Sequence, residues 1–156
     1  MAVQRRDYIV NEIELLGQFI ARLVNKRDES GTREATHLAL HLQEKLFAMP
    51  ATEFLRLEVD AQISALMAGE TPIGGHAKCL AYATLLRDTA TLYYLQGRDD
   101  LARGARQLAL HVALCIAPGP DAERGPVDRL IVELVGTIGT LELHPPVREL
   151  LEKYAR

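Results

Sequence analysis

Tryptophan is absent, and three phenylalanines and five tyrosines bring the aromatics to only 5%. The chain therefore has little of the aromatic surface on which strands pair. No apolar run approaches the roughly 18 residues of a membrane span. The opening Met1-Ala2-Val3-Gln4-Arg5-Arg6-Asp7 turns amphipathic with no apolar stretch of the secretory kind, so neither a membrane nor a signal segment is expected. Cysteine is confined to Cys79 and Cys115, each inside an apolar helical pattern. They read as reduced thiols, which makes the cytoplasm the expected compartment. No sign of charge dominates either: 18 Lys and Arg meet 21 Asp and Glu, for a net charge of −3. The cations are scattered, so the clustered patch that nucleic acid requires is missing and no nucleic-acid partner is expected.

What the chain has instead is leucine and alanine, about 25 and about 20 of them, within 48% hydrophobic residues. Both are strong helix formers. Together with 25% charged residues in a length of 156, they predict one all-α domain spanning 1–156.

Apolar spacing divides that domain into hairpins. Ile9, Ile13, Leu16, Ile20 and Leu23 step by four and three, drawing one stripe along a helix over 7–26. Val10, Leu15, Phe19 and Val24 widen the stripe, which predicts burial on two sides. A polar link ending at Gly31 leads to a second helix, capped by Thr32 and carrying Ala35, Leu38, Ala39, Leu42 and Leu46 as far as Phe47. Pro50 stops it. The hairpin 7–47 is followed by a segment over 52–68 with Phe54, Leu57, Ile63, Leu66 and Met67, which Asp60 can restart as a second helix. Gly69 to Gly75 (GETPIGG) is the expected internal break. Helices over 76–96 and 99–117 then face each other across Gly97, with Asp99 or Asp100 as the second one's cap. The small residues Ala102, Ala105, Ala109 and Ala113 allow close approach. After a loop from Pro118 to Pro126, the C-terminal helices occupy 126–155: one carries Val127, Leu130, Ile131, Leu134, Val135, Ile138 and Leu141, and a short closing one runs from Pro146 to Tyr154. Six or seven helices result.

The stretch Tyr93-Tyr94-Leu95-Gln96-Gly97-Arg98-Asp99-Asp100-Leu101-Ala102, with Ala109-Leu110 and Pro118 beyond it, resembles one tetratricopeptide repeat (TPR). Leu86 stands at the repeat's large first-helix position and Ala90 at its small close-packing position. Tyr93 matches its tyrosine, Gly97 its turn, and Ala102 and Ala109 its second-helix alanines. Arg106 replaces the aromatic that meets the next repeat, and the second helix runs about four residues past the usual proline. About 40 residues carry the likeness, which implies antiparallel helical hairpins in a TPR-like stack. It also implies that Thr84, Arg87, Asp88, Thr91 and Tyr94 line a concave partner-binding groove. A carboxylate clamp is incomplete, because Thr91 stands where an asparagine is expected beside Arg87, so chaperone-tail binding is not implied. Separately, Arg6-Asp7-Tyr8-Ile9 followed by Ile13, Leu16, Ala21 and Leu23 is similar to the N-terminus of an uncharacterised bacterial all-helical family with a TPR-like hairpin and no established activity.

Other residue groups carry chemistry at weaker spacing. Glu34, His37, His41 and Glu44 share one helical arc, and two histidines at i and i+4 can bind a metal, yet no HExxH pattern supplies a third ligand. A polar outward stripe explains them as well. Cys79 and Cys115 fall level across the Gly97 turn, and with His76 and His111 they have zinc-compatible spacing, although Cys79 points with Ala83 and Leu86 toward the core while His111 and Cys115 rotate away from the Ala105 and Ala109 stripe. Buried cysteines are ordinarily small hydrophobes. Gly74-Gly75 precede a helix without the strand or Gly-Lys-Ser/Thr of a phosphate loop. The pairs Arg87-Asp88 and Asp99-Asp100 read as solvation and capping, and Gly136 with Gly139 as a close-packing face.

The expectation is thus a non-catalytic protein–protein interaction or scaffold module, with no cofactor, no metal, an unknown protein or peptide partner, and a homodimeric state. The alternative is a metal- or small-ligand-binding helical protein using His37/His41 or His76/Cys79/His111/Cys115.

Overall fold

The computed structural model describes residues 2–24, 26, 28–119, 124–139 and 142–155, with side chains from Arg6 onward. Asn25 and Arg27 of the first link, residues 120–123 of the second loop, and Leu141 lie outside the described residues. Every regular element among the described residues is helical: α1 (Ala2–Leu23), α2 (Glu29–Phe47), α3 (Ala51–Phe54), α4 (Val59–Met67), α5 (Pro72–Leu95), α6 (Asp99–Ile116), α7 (Arg124–Ile138) and α8 (Pro145–Ala155). No helix among them is long and apolar enough to cross a membrane.

The stripe of α1 is buried as its spacing predicts, from Ile9 to Leu23 with Leu16 at 1% exposure. It packs on both α2 and α5. Burial on two sides does not hold, because Leu15 and Val24 remain 54% and 47% exposed. The stripe is wide because α2 and α5 share its inner side, and α1 forms the edge of the fold.

The second helix starts three residues before Thr32, since Asp28 is the cap: its Oδ1 accepts from Gly31 N at 3.0 Å, and an Asp–helix contact of this kind satisfies an orphan donor. Thr32 instead donates its hydroxyl to the Asp28 carbonyl at 2.8 Å. Leu38, predicted inside, is 37% exposed. The segment 52–68 divides into α3 and α4, which raises the helix count from six or seven to eight among the described residues. Tertiary contacts decide the split. Buried Gln62 donates to the carbonyls of Phe54 and Leu57 at 3.4 and 3.1 Å and accepts from Tyr82 OH at 2.9 Å. Phe47 and Phe54 stack at 3.8 Å, and Tyr82 meets both edge-on.

The glycine-rich break is shorter than the sequence implies. Thr71 caps α5 through Gly74 N at 3.0 Å, with Pro72 at the first helical position where its missing N–H costs nothing, so Gly74 and Gly75 already belong to the helix. From there α5 runs through the centre, flanked by α1, α2, α4, α6 and α7. Its turn into α6 has Gly97 at φ +75°, the left-handed geometry that glycine tolerates. Ala90, Ala102, Ala109 and Ala113 are buried in that hairpin. Asp99 and Asp100 occupy the first turn of α6, and Arg98 takes the cap position without a side-chain bond. Both α7 and α8 pack on α6. The latter is pinned by Gln107, which donates to the Glu142 carbonyl and accepts from His144 N. Gly136 and Gly139 do not form a packing face, for nothing lies within 4 Å of a Cβ at either, and Gly139 ends α7 at φ +85°.

Candidate binding groove

One face of α5 is left open between α1 and α7. Residues at three- and four-residue intervals share a helical face, and here Ala77, Leu80, Ala81, Thr84, Arg87, Asp88 and Thr91 form a floor. Two cavities follow one another along it, and a third opens beyond them between α6 and α7. The first, about 610 Å³, has apolar walls from Val10 and Ile13 of α1 and Leu130 of α7, with Thr84 on its floor. Arg87 and Glu133 join it to a second of about 380 Å³, which Gly17, Asp88 and Thr91 line. Arg106 and Thr137 lead on to a third of about 290 Å³ beside Tyr94 and Arg103.

The charges at the middle are networked. Arg87 reaches Glu133 Oε2 in α7 at 3.4 Å and its neighbour Asp88 Oδ1 at 3.2 Å. Asp88 is only 6% exposed. Burial pushes its carboxyl above the ordinary range and Glu133 adds to the rise, while Arg87 pulls the other way. Its second oxygen, Oδ2, is buried with no hydrogen-bond partner.

The five residues singled out in the sequence are therefore distributed along one groove: Thr84 in the first cavity, Arg87 at the junction, Asp88 and Thr91 in the second, Tyr94 in the third. Thr91 donates its hydroxyl to the Arg87 carbonyl at 3.3 Å. Tyr94 is 59% exposed, and the Arg106 guanidinium lies 5.9 Å from its ring centroid. Sequence reasoning missed the walls. On α1, Val10 and Ile13 read as core packing, and neither Gly17 nor Glu133 of α7 stands out in the sequence. A glycine interrupting the apolar run of α1 was the one available signal.

The histidine sets are not assembled in this way. His37 and His41 are exposed with Glu34 and Glu44 on α2. Cys79 is fully buried, and burial pushes its thiol up to about 12, so it stays protonated and a poor nucleophile. Burial raises Cys115 as well and holds His111 below its ordinary value. The His76 ring lies against Gly119. Among the described residues, no three His, Cys, Asp or Glu side chains come together to hold a metal.

No family model, curated protein or solved structure matches the chain. The case for function accordingly rests on the groove.

Proposed function

We propose that the protein is a non-catalytic interaction module in which TPR-like hairpins present the α1–α5–α7 groove to a peptide segment of a partner protein. The observation that carries this reading is the continuity of the first two cavities over the α5 floor, with the third opening beyond them between α6 and α7 beside Tyr94. From Ala77 to Tyr94 the floor extends about 25 Å at 1.5 Å per residue, room for about eight residues of extended chain. Its apolar end and its charged middle provide the anchor and the polar specificity that recognition sites combine. The left-handed Gly97 and the buried Ala90 and Ala102 support the TPR-like geometry of the α5–α6 hairpin. On the same reading the protein belongs with the bacterial helical family that its N-terminus resembles, and works in the cytoplasm with Cys79 and Cys115 as free thiols. It self-associates through the outer face of α1 and α2.

Fluorescence polarisation with a pooled library of capped octapeptides tests the groove. Thr84→Trp fills the first cavity with an indole and should weaken binding about tenfold or more, with an unchanged circular dichroism spectrum. Equal binding by the variant and the wild type would remove the groove from consideration.

A further inference from the structure

Asp88 sits where α1 crosses α5. Its Oδ1 is engaged by Arg87 at 3.2 Å, while Oδ2 is buried with no hydrogen-bond partner. The α1 backbone covers that oxygen at Gly17, where a Cβ would lie 3.3 Å from it. The charged groups that share the cavity with Asp88 are Arg87, Arg106 and Glu133, and with Asp88 ionised the four sum to zero. Net charge therefore does not oppose the carboxylate; the lack of water or a donor at Oδ2 does. From α1 the cavity is lined by Gly17, Ile20, Ala21 and Val24, whose side chains neither titrate nor donate, and the nearest α1 charge on this side, Glu14, lines the adjoining cavity with Arg87. On the other sides of α5, α2 offers Thr89 the uncharged Gln43 and α4 offers Tyr82 the uncharged Gln62. Oδ2 gains a donor only if α1 moves. Such a movement has little to break. Among the described residues, the side-chain polar tie from α1 to α5 or to the turn before it is Arg6 to Glu70 at 3.0 Å, about three helical turns before Gly17.

We propose that the crossing of α1 over α5 is a pH-operated latch: while Asp88 holds a proton, α1 lies closed on α5 at Gly17, and when Asp88 ionises, α1 lifts there, pivoting on the Arg6–Glu70 tie, to admit water to Oδ2. A neutral carboxyl loses far less by burial than a carboxylate does, so the closed contact favours the proton and the lifted one favours the charge. The upward displacement of the Asp88 carboxyl, caused first by burial and assisted by Glu133 against the pull of Arg87, has this sign. Lifting draws Gly17, Ile20 and Ala21, one wall of the second cavity, away from Asp88 and Thr91. The groove is then narrow in acid and wide at higher pH. Only that consequence rests on the groove reading; the latch itself stands on the packing of α1 against α5.

Backbone amide hydrogen exchange tests the latch on the intact protein with no peptide present. A helix released from its neighbours is marginal in water, so the α1 amides around Gly17 should lose about tenfold in protection, after correction for intrinsic exchange, as pH rises from about 4 to about 8. The amides of α6 should not. The side-chain carboxyl carbon of Asp88, followed by NMR, should titrate with the same midpoint as the α1 amides, above the ordinary value of about 3.9. Asp88→Asn, neutral and nearly isosteric, should keep α1 protected across the whole interval. Wild-type α1 protection that ignores pH, a loss that persists in Asp88→Asn, or a midpoint other than that of the Asp88 carboxyl would overturn the latch. The groove then still stands or falls on Thr84→Trp. Peptide binding that ignores Thr84→Trp removes the groove and leaves the latch in place.

Discussion

At Asp88 a carboxylate lies at the crossing of α5 with α1, held from one side by Arg87 and unsatisfied on the other. Its proton is bound more tightly in the folded chain than in the unfolded one, because burial raises the folded value. The stability this contributes is fully present below the ordinary carboxylate range, near 3.9. It is lost as pH rises through the raised folded value, so at neutral pH the ionised side chain works against the fold. Asp88→Asn should therefore raise Tm at pH 7 by about 2–4 °C, the response of a chain this size to about 1 kcal/mol. It should also flatten the decline in stability as pH rises above 4. Calorimetry across that interval measures both effects. A lower Tm with the slope intact would mean that the Arg87 pairing outweighs the desolvation. No residue-by-residue reading of the sequence finds this strain, for the charge pattern around Asp88 is ordinary and the α1 backbone that approaches its carboxylate, at Gly17, stands seventy-one residues earlier in the chain.

Among the elements, those whose start and stop signals are local were legible. The stripe of α1 and the turn at Gly97 follow directly from spacing and from the backbone freedom of glycine. Elements settled by distant contacts were not: the break between α3 and α4 depends on Gln62 bonding backward to Phe54 and Leu57 and across to Tyr82. The early start of α5 had a local signal, Thr71-Pro72, that the neighbouring glycines obscured. The groove shows the same division. Its floor on α5 follows from a single-helix pattern, whereas its walls require knowing that α1 and α7 flank that helix. On the opposite side of α1, about half a turn from the groove wall, Tyr8 and Leu15 are exposed. The Lys45 ammonium lies 5.5 Å from the Tyr8 ring centroid, and in that antiparallel register Leu15 falls opposite the exposed Leu38 of α2. An apolar face shared by two helices suits a self-complementary contact about a two-fold axis. Light scattering at micromolar concentration should give twice 17.3 kDa for the wild type and 17.3 kDa for Leu15→Glu. A wild type of 17.3 kDa at every concentration would exclude the dimer.

Across the whole molecule, the arrangement places a buried central helix under an open channel and leaves Tyr8, Leu15 and Leu38 exposed on the outer surface of the α1–α2 hairpin. Arg6 bonds Glu70 at 3.0 Å, tying the beginning of α1 to the turn before α5, and Arg87 ties α5 to α7 by its ion pair with Glu133. The groove walls are thus fixed to the floor at both sides, a preorganised site of the kind that limits the ordering cost of binding. The proposed peptide lies along α5 between α1 and α7. Amide chemical-shift mapping on the uniformly labelled protein, titrated with the tightest-binding octapeptide mixture, tests it most directly. Perturbations should follow Val10, Ile13 and Gly17 on one wall, Thr84, Arg87 and Thr91 along the floor, and Leu130 and Glu133 on the other wall. Shifts confined to α2 and α8, or no shifts at saturating peptide, would contradict it.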